Sequence, residues 1–94
     1  MSAILKVSNP VEVKRRGYRI YNRPVLLSNR KYKKYMIKDD NDKYIHFGDI
    51  RYSDFTKHKD EDKKNRYWKR MTKIKGDWID NEFSPNVLSL ILLW

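Results

Sequence analysis

The sequence predicts an α+β fold: a small antiparallel β-sheet from the N-terminal half, packed by one amphipathic helix and by a short apolar C-terminal helix. Three observations lead there. The segments Lys31 to Lys38 and Lys43 to Phe47 alternate apolar and polar residues with a period of two, the pattern of half-buried strands. Beyond Asp60 the spacing changes to three and four, the pattern of a helix with one apolar face. The last eight residues, Val87 to Trp94, are almost wholly apolar.

Taken in order, Asn9 to Asn22 (NPVEVKRRGYRIYN) places Val11 and Val13 on one parity and Tyr18 and Ile20 on another, with Gly17 between them. This broken period of two predicts a strand or short hairpin whose bend lies at Lys14 to Gly17. Pro24, which lacks a ladder donor, suits the entry to a strand at Val25 to Leu27. Ser28 and Asn29 read as a turn. The segments KYKKYMIK and KYIHF flank Asp39 to Asp42, whose short acceptor side chains satisfy turn backbone, so the two segments form a hairpin. Tyr35, Ile37, Ile45 and Phe47 then share the core face, and Tyr32, Met36, Tyr44 and His46 the other.

After a turn at Gly48, Ser53 or Asp54 caps a short helical turn. The main helix starts by Asp60, with acidic residues at its positive end and Lys69, Arg70, Lys73 and Lys75 toward the other, and stops near Gly76. Tyr67, Met71 and Ile74 form its apolar stripe toward the sheet, with Trp68 beside them. Trp78 to Phe83 is a connector. Ser84 and Pro85 announce the terminal helix as cap and first helical residue.

Ninety-four residues fit a single domain, 1–94, with a basic β-rich half at 1–47 and a helical half at 48–94. With no cysteine there is neither a disulfide framework nor a thiolate metal site. Met1 to Leu5 hold no apolar run of secretory length, and the apolar tail falls well short of the roughly 20 residues that span a bilayer. The expectation is a soluble chain with no membrane span.

The 22 Lys and Arg against 12 Asp and Glu leave a net charge of +10, which favours polyanionic partners through counterion release. A solvated basic surface is the plainer alternative. Lys14, Arg15 and Arg16 with Arg19 and Arg23 form one candidate polyanion patch, and Arg30, Lys31, Lys33 and Lys34 a second. Lys63, Arg66, Arg70 and Lys73, on one helical face, support them. Such residues contact phosphates and carry no base information; Tyr32, Tyr44 or Trp68 would supply stacking surfaces. Val87, Leu88, Leu90, Ile91, Leu92, Leu93 and Trp94 are the candidate protein interface, since their helix has almost no polar face.

Catalytic chemistry finds little in the sequence. His46, Asp49, Asp54, His58 and Asp60 are of types that bind metal or move protons, but their spacing matches no metal or nucleophile motif. They read as strand-face and capping residues. No catalytic residue, metal or cofactor is therefore expected, and a small metal-dependent nuclease ranks last.

The strings His46-Phe47-Gly48, Tyr52 to Asp60 (YSDFTKHKD), Arg66-Tyr67, Arg70, Asp77-Trp78 and Leu88-Ser89 to Leu92-Leu93-Trp94 resemble a family of small basic proteins encoded by large nucleocytoplasmic DNA viruses of algae and amoebae. The resemblance covers about the last half of the chain; the first half is alike only in being basic and strand-like. It implies a viral origin and a virion- or genome-associated role. Two departures stand out. Met71 occupies a position where relatives often carry histidine, and the sequence stops at Trp94 where relatives commonly continue, which would leave the tail for a partner. The leading expectation is a virion structural protein, a minor capsid or internal component that bridges larger viral proteins through the apolar helix and basic faces. The alternative is a non-specific nucleic-acid-binding protein on the packaged genome.

Overall fold

The computed structural model describes residues 3–73 and 81–94. Helix α1 (Ile4–Val7) and helix α2 (Pro10–Tyr21) precede strands β1 (Val25–Leu27), β2 (Lys33–Lys38) and β3 (Tyr44–Asp49). Helices α3 (Phe55–His58), α4 (Glu61–Thr72) and α5 (Pro85–Leu93) follow. The strands form one antiparallel sheet in the order β1-β2-β3, with Val25 opposite Ile37 and Tyr35 opposite Phe47.

The α+β class and the β2–β3 hairpin agree with the sequence pattern. Tyr35, Ile37 and Phe47 are fully buried and Ile45 packs against them, as the alternation requires. Asp39 makes the turn, its carboxylate accepting from the Asn41 and Lys43 amides at 2.8 and 3.0 Å. Asp60 caps α4 through the Asp62 and Lys63 amides, and Ser84 caps α5 through the Val87 amide.

The segment Asn9 to Asn22 is not a strand or a hairpin but the twelve-residue helix α2. Asn9 caps it, accepting from the Glu12 amide at 3.4 Å, with Pro10 in the first turn. Asn22 closes it in the left-handed region at φ 56°. The buried residues Val13 and Gly17 are four apart and face inward, while Val11, Tyr18 and Ile20 are exposed. Gly17 is a point of close approach rather than a bend: a Cβ there would collide with Val25 Cγ2 on β1. Gly48 is not at the expected turn but inside β3, one residue before its end; its φ is +80°, and a Cβ there would meet Leu93 and Lys34.

The sheet is covered chiefly by α5. Leu88, Leu92 and Leu93 are essentially inaccessible and join Ile4, Val13, Val25, Tyr35, Ile37, Phe47, Phe83 and Leu90 in one core. The residues expected to serve as a protein interface thus lie mostly inside the chain's own fold: Val87, Leu88, Leu90, Leu92 and Leu93 are buried, and Ile91 and Trp94 pack partly against the core. The sheet had a bare inner face of large rings and branched residues, and a nearly all-apolar helix satisfies it. In α4 the stripe is realised differently from the expectation. Met71 is buried, but Tyr67 stacks on Trp94 at 4.3 Å, at the end of α5; Ile74, Lys75, Gly76 and Trp78 lie outside the described residues.

Beneath the sheet a buried polar chain ties distant segments together. Tyr35 Oη donates to Ser8 Oγ at 2.7 Å, leaving the Ser8 hydroxyl to donate to Thr56 Oγ1 at 3.1 Å. Thr56 Oγ1 also accepts from the Asn9 amide, so its own hydrogen goes to Asp54 Oδ1. Asp54 accepts the Thr56 amide as the cap of α3 and pairs through Oδ2 with Lys34 Nζ at 2.9 Å. Lys34 and Asp54 are almost wholly buried, so desolvation holds the lysine below its usual range.

Two predictions follow from this packing. Lys34→Met leaves the Asp54 charge buried without its partner and should cost about 3–5 kcal/mol, as should Asp54→Leu with the roles reversed. The double variant should cost clearly less than the sum, read from urea unfolding of all four proteins. The second concerns pH. Burial, with Glu82 nearby, pushes the Tyr21 phenol up to about 12, and burial pushes Tyr35 up as well, against an ordinary value of 10.0. These contributions are complete below pH 10 and are lost as pH rises, because the unfolded chain sheds protons that the fold retains. Lys34 pulls the other way, but only below its ordinary value of 10.5, where the unfolded chain still holds a proton that the fold has shed. Tyr21→Phe removes one of the retained protons and leaves Lys34 unaltered, so it should flatten the fall in stability between pH 10 and 12.

Candidate nucleic-acid interface

The cations of the sequence divide sharply once folded. Lys34 is buried against Asp54. Arg16 is half-buried, with its guanidinium on the Leu92 carbonyl at 3.3 Å and near Glu12. Arg23 donates to the Tyr21 and Lys38 carbonyls and to Asp40, and lies over the Phe83 ring at 4.8 Å. These three hold the fold together and do not form a surface for anions. Lys14, Arg15 and Arg19 are exposed on the outer side of α2, spread around a helix rather than gathered at a hairpin bend. Arg30 and Lys31 are exposed before β2, with Lys31 over the Tyr32 ring, and Lys73 is exposed at the C-terminal cap of α4.

The remaining predicted cations meet in one place. A cleft of about 890 Å³ lies between the β2–β3 end of the sheet, α4 and α5. Lys33 enters it from β2, and Lys63, Arg66 and Arg70 from α4, where spacings of three and four put them on one face. None of the four takes part in an ion pair among the described residues. At the rim, the one carboxylate among the described residues, that of Asp49, is already engaged by Arg51 at 2.7 Å, which holds it near 2. Ser53, Asn86 and Ser89 add neutral hydrogen-bonding groups.

One wall of the cleft is a column of planar groups. Arg70 lies over Tyr67 at 5.5 Å, Tyr67 and Trp94 are parallel within 8° at 4.3 Å, and His58 sits 5.2 Å from Trp94. His58 ends α3, and its Nδ1 accepts the Asp60 amide at 3.0 Å, a hydrogen bond at the entry to α4. That bond fixes the neutral tautomer with the hydrogen on Nε2. Desolvation, then Lys63, holds the ring below its usual range, so it stays neutral at pH 7. Its Nε2–H is shielded from solvent and has no hydrogen-bond partner among the described residues. His46, by contrast, is satisfied by Ser28 at 2.6 Å on the outer sheet face.

Of the rings proposed for stacking, Tyr32 and Tyr44 are exposed outside this cleft, each beneath a lysine. Tyr67 and Trp94, which the sequence reading assigned to an apolar stripe and a protein interface, are the rings that line it. The sequence signal was the recurrence of Lys63, Arg66 and Arg70 beside Tyr67; pairing it with Trp94 needs the tertiary fold. Among the described residues no group of three or more His, Asp or Glu is placed to hold a metal ion, and no helix is long and apolar enough to cross a membrane.

No curated protein and no solved structure matches the chain. A family model does, over residues 24–71, the span that runs from the start of the sheet to the end of α4 and supplies Lys33, Lys63, Arg66, Arg70, Tyr67 and His58 to the cleft. With half of its length matched, the chain belongs to the family of unknown function DUF5754.

Proposed function

We propose that this chain is a non-specific nucleic-acid-binding protein and that the cleft between the sheet, α4 and α5 is where the strand lies. The observation that carries the reading is the convergence of Lys33, Lys63, Arg66 and Arg70, all outside ion pairs among the described residues, on one cleft. A net charge of +10 adds long-range attraction for the same ligand. Phosphate contacts from such side chains give affinity without base discrimination, which matches the lack of any base-reading motif in the chain. A strand in the viral setting implied by the residue strings would be packaged genome. The bridging role first expected of α5 is not carried forward, because that helix is used to cover the sheet.

Binding should weaken steeply with salt. Replacing Lys63, Arg66 and Arg70 together by glutamine should lower the slope of log K against log salt for single-stranded DNA by about 2, at about 0.7 per phosphate contact. Replacing Lys14, Arg15 and Arg19 should lower it by less. Filter binding over a salt series measures both; no retention of DNA at low salt, or an unchanged slope in the cleft variant, removes the proposal.

A further inference from the structure

The cleft offers three different chemistries side by side, and together they define a ligand more closely than charge alone. Four cations suit a phosphate. The Arg70–Tyr67–Trp94–His58 column shows that planar groups pack against this wall. The His58 Nε2–H, fixed by the Asp60 amide on the opposite nitrogen, is a donor left unanswered among the described residues. A buried donor without an acceptor is destabilising, so such a group calls for a function.

A ligand that meets all three demands is anionic, planar and carries an acceptor on its ring. We propose that the cleft binds an unpaired nucleotide, with its phosphate among Lys63, Arg66 and Arg70 and an acceptor of its base on His58 Nε2. The Trp94 ring lies 5.2 Å from the imidazole and is itself only partly buried at the margin of the core. For a base to reach that nitrogen the Trp94 indole has to leave its stack on Tyr67, and the base takes its place there. A base inside a duplex has its faces covered by neighbours and its pairing edge occupied, so the site prefers single strands. This inference rests on the nucleic-acid reading above and adds the state of the strand and the group that senses it.

The test compares a single-stranded DNA 12-mer, a single-stranded RNA of the same length, the blunt DNA duplex and a nucleoside monophosphate on the intact chain, by fluorescence anisotropy and calorimetry. Single strands should bind at least about fivefold more tightly than the duplex. Saturable binding of the monophosphate would assign the site to a free nucleotide, and binding of the strands alone to a nucleotide within a strand. His58→Asn keeps an acceptor for the Asp60 amide but deletes the Nε2 donor, whereas His58→Gln keeps a donor near Nε2. The asparagine variant should lose the single-strand preference by about fivefold to tenfold and the glutamine variant should retain it, with thermal melts verifying that both are folded. Equal affinity for duplex and single strand, or equal behaviour of the two variants, overturns this inference and leaves the salt-dependent nucleic-acid reading standing. No binding of any nucleic acid overturns both.

Discussion

The fold depends on one buried charge pair and the hydroxyls that lead to it. Asp54 is inaccessible to solvent, yet every oxygen it presents is met: Lys34 on one side, the Thr56 amide and hydroxyl on the other. The donors run in one direction, from Tyr35 through Ser8 and Thr56 to the carboxylate, so each hydroxyl has a defined role as acceptor of one bond and donor of the next. The chain joins the α1–α2 junction, the central strand and the entry to α3, segments nearly fifty residues apart in sequence. Because burial of an ion pair is costly unless its geometry is complete, this device favours one arrangement of those segments over others more than it adds bulk stability.

The same junction places the cleft. Asp54 caps α3, α3 ends in His58, and the amide two residues on both starts α4 and fixes the histidine tautomer. The cationic face of α4 is therefore oriented against the sheet edge by a sequence of capping contacts, not by a broad hydrophobic interface. Opposite it, α5 brings Trp94 to Tyr67. Core and cleft share that helix: its leucines seal the sheet while its end completes the aromatic wall.

Much of this was legible in the sequence where local chemistry and long-range packing agree. The Asp39 to Asp42 turn, the alternation of Tyr35, Ile37, Ile45 and Phe47, and the caps at Asp54, Asp60 and Ser84 all signal themselves within a few residues. Helix α2 did not, because its exposed Val11, Tyr18 and Ile20 imitate strand alternation while its true inner face contains a glycine chosen for closeness to Val25. The cap signal at Asn9-Pro10 was the better guide. The charge patches were also misleading: Arg16, Arg23 and Lys34 are the cations with structural partners, and nothing local to the sequence separates them from Lys33, Arg66 and Arg70.

The matched family span, residues 24–71, holds the whole sheet but neither Val13 nor the α5 leucines that cover it. That has a bearing on how the protein is made. On a ribosome working at about 5–20 residues per second, the stretch from Asp49 to Leu93 emerges about 2–9 seconds after the last strand is complete. For those seconds Tyr35, Ile37 and Phe47 lack the helix that covers them in the finished fold, and the hairpin is exposed to pairing with other copies. Its flanking lysines then keep separate copies apart until the closing helix arrives.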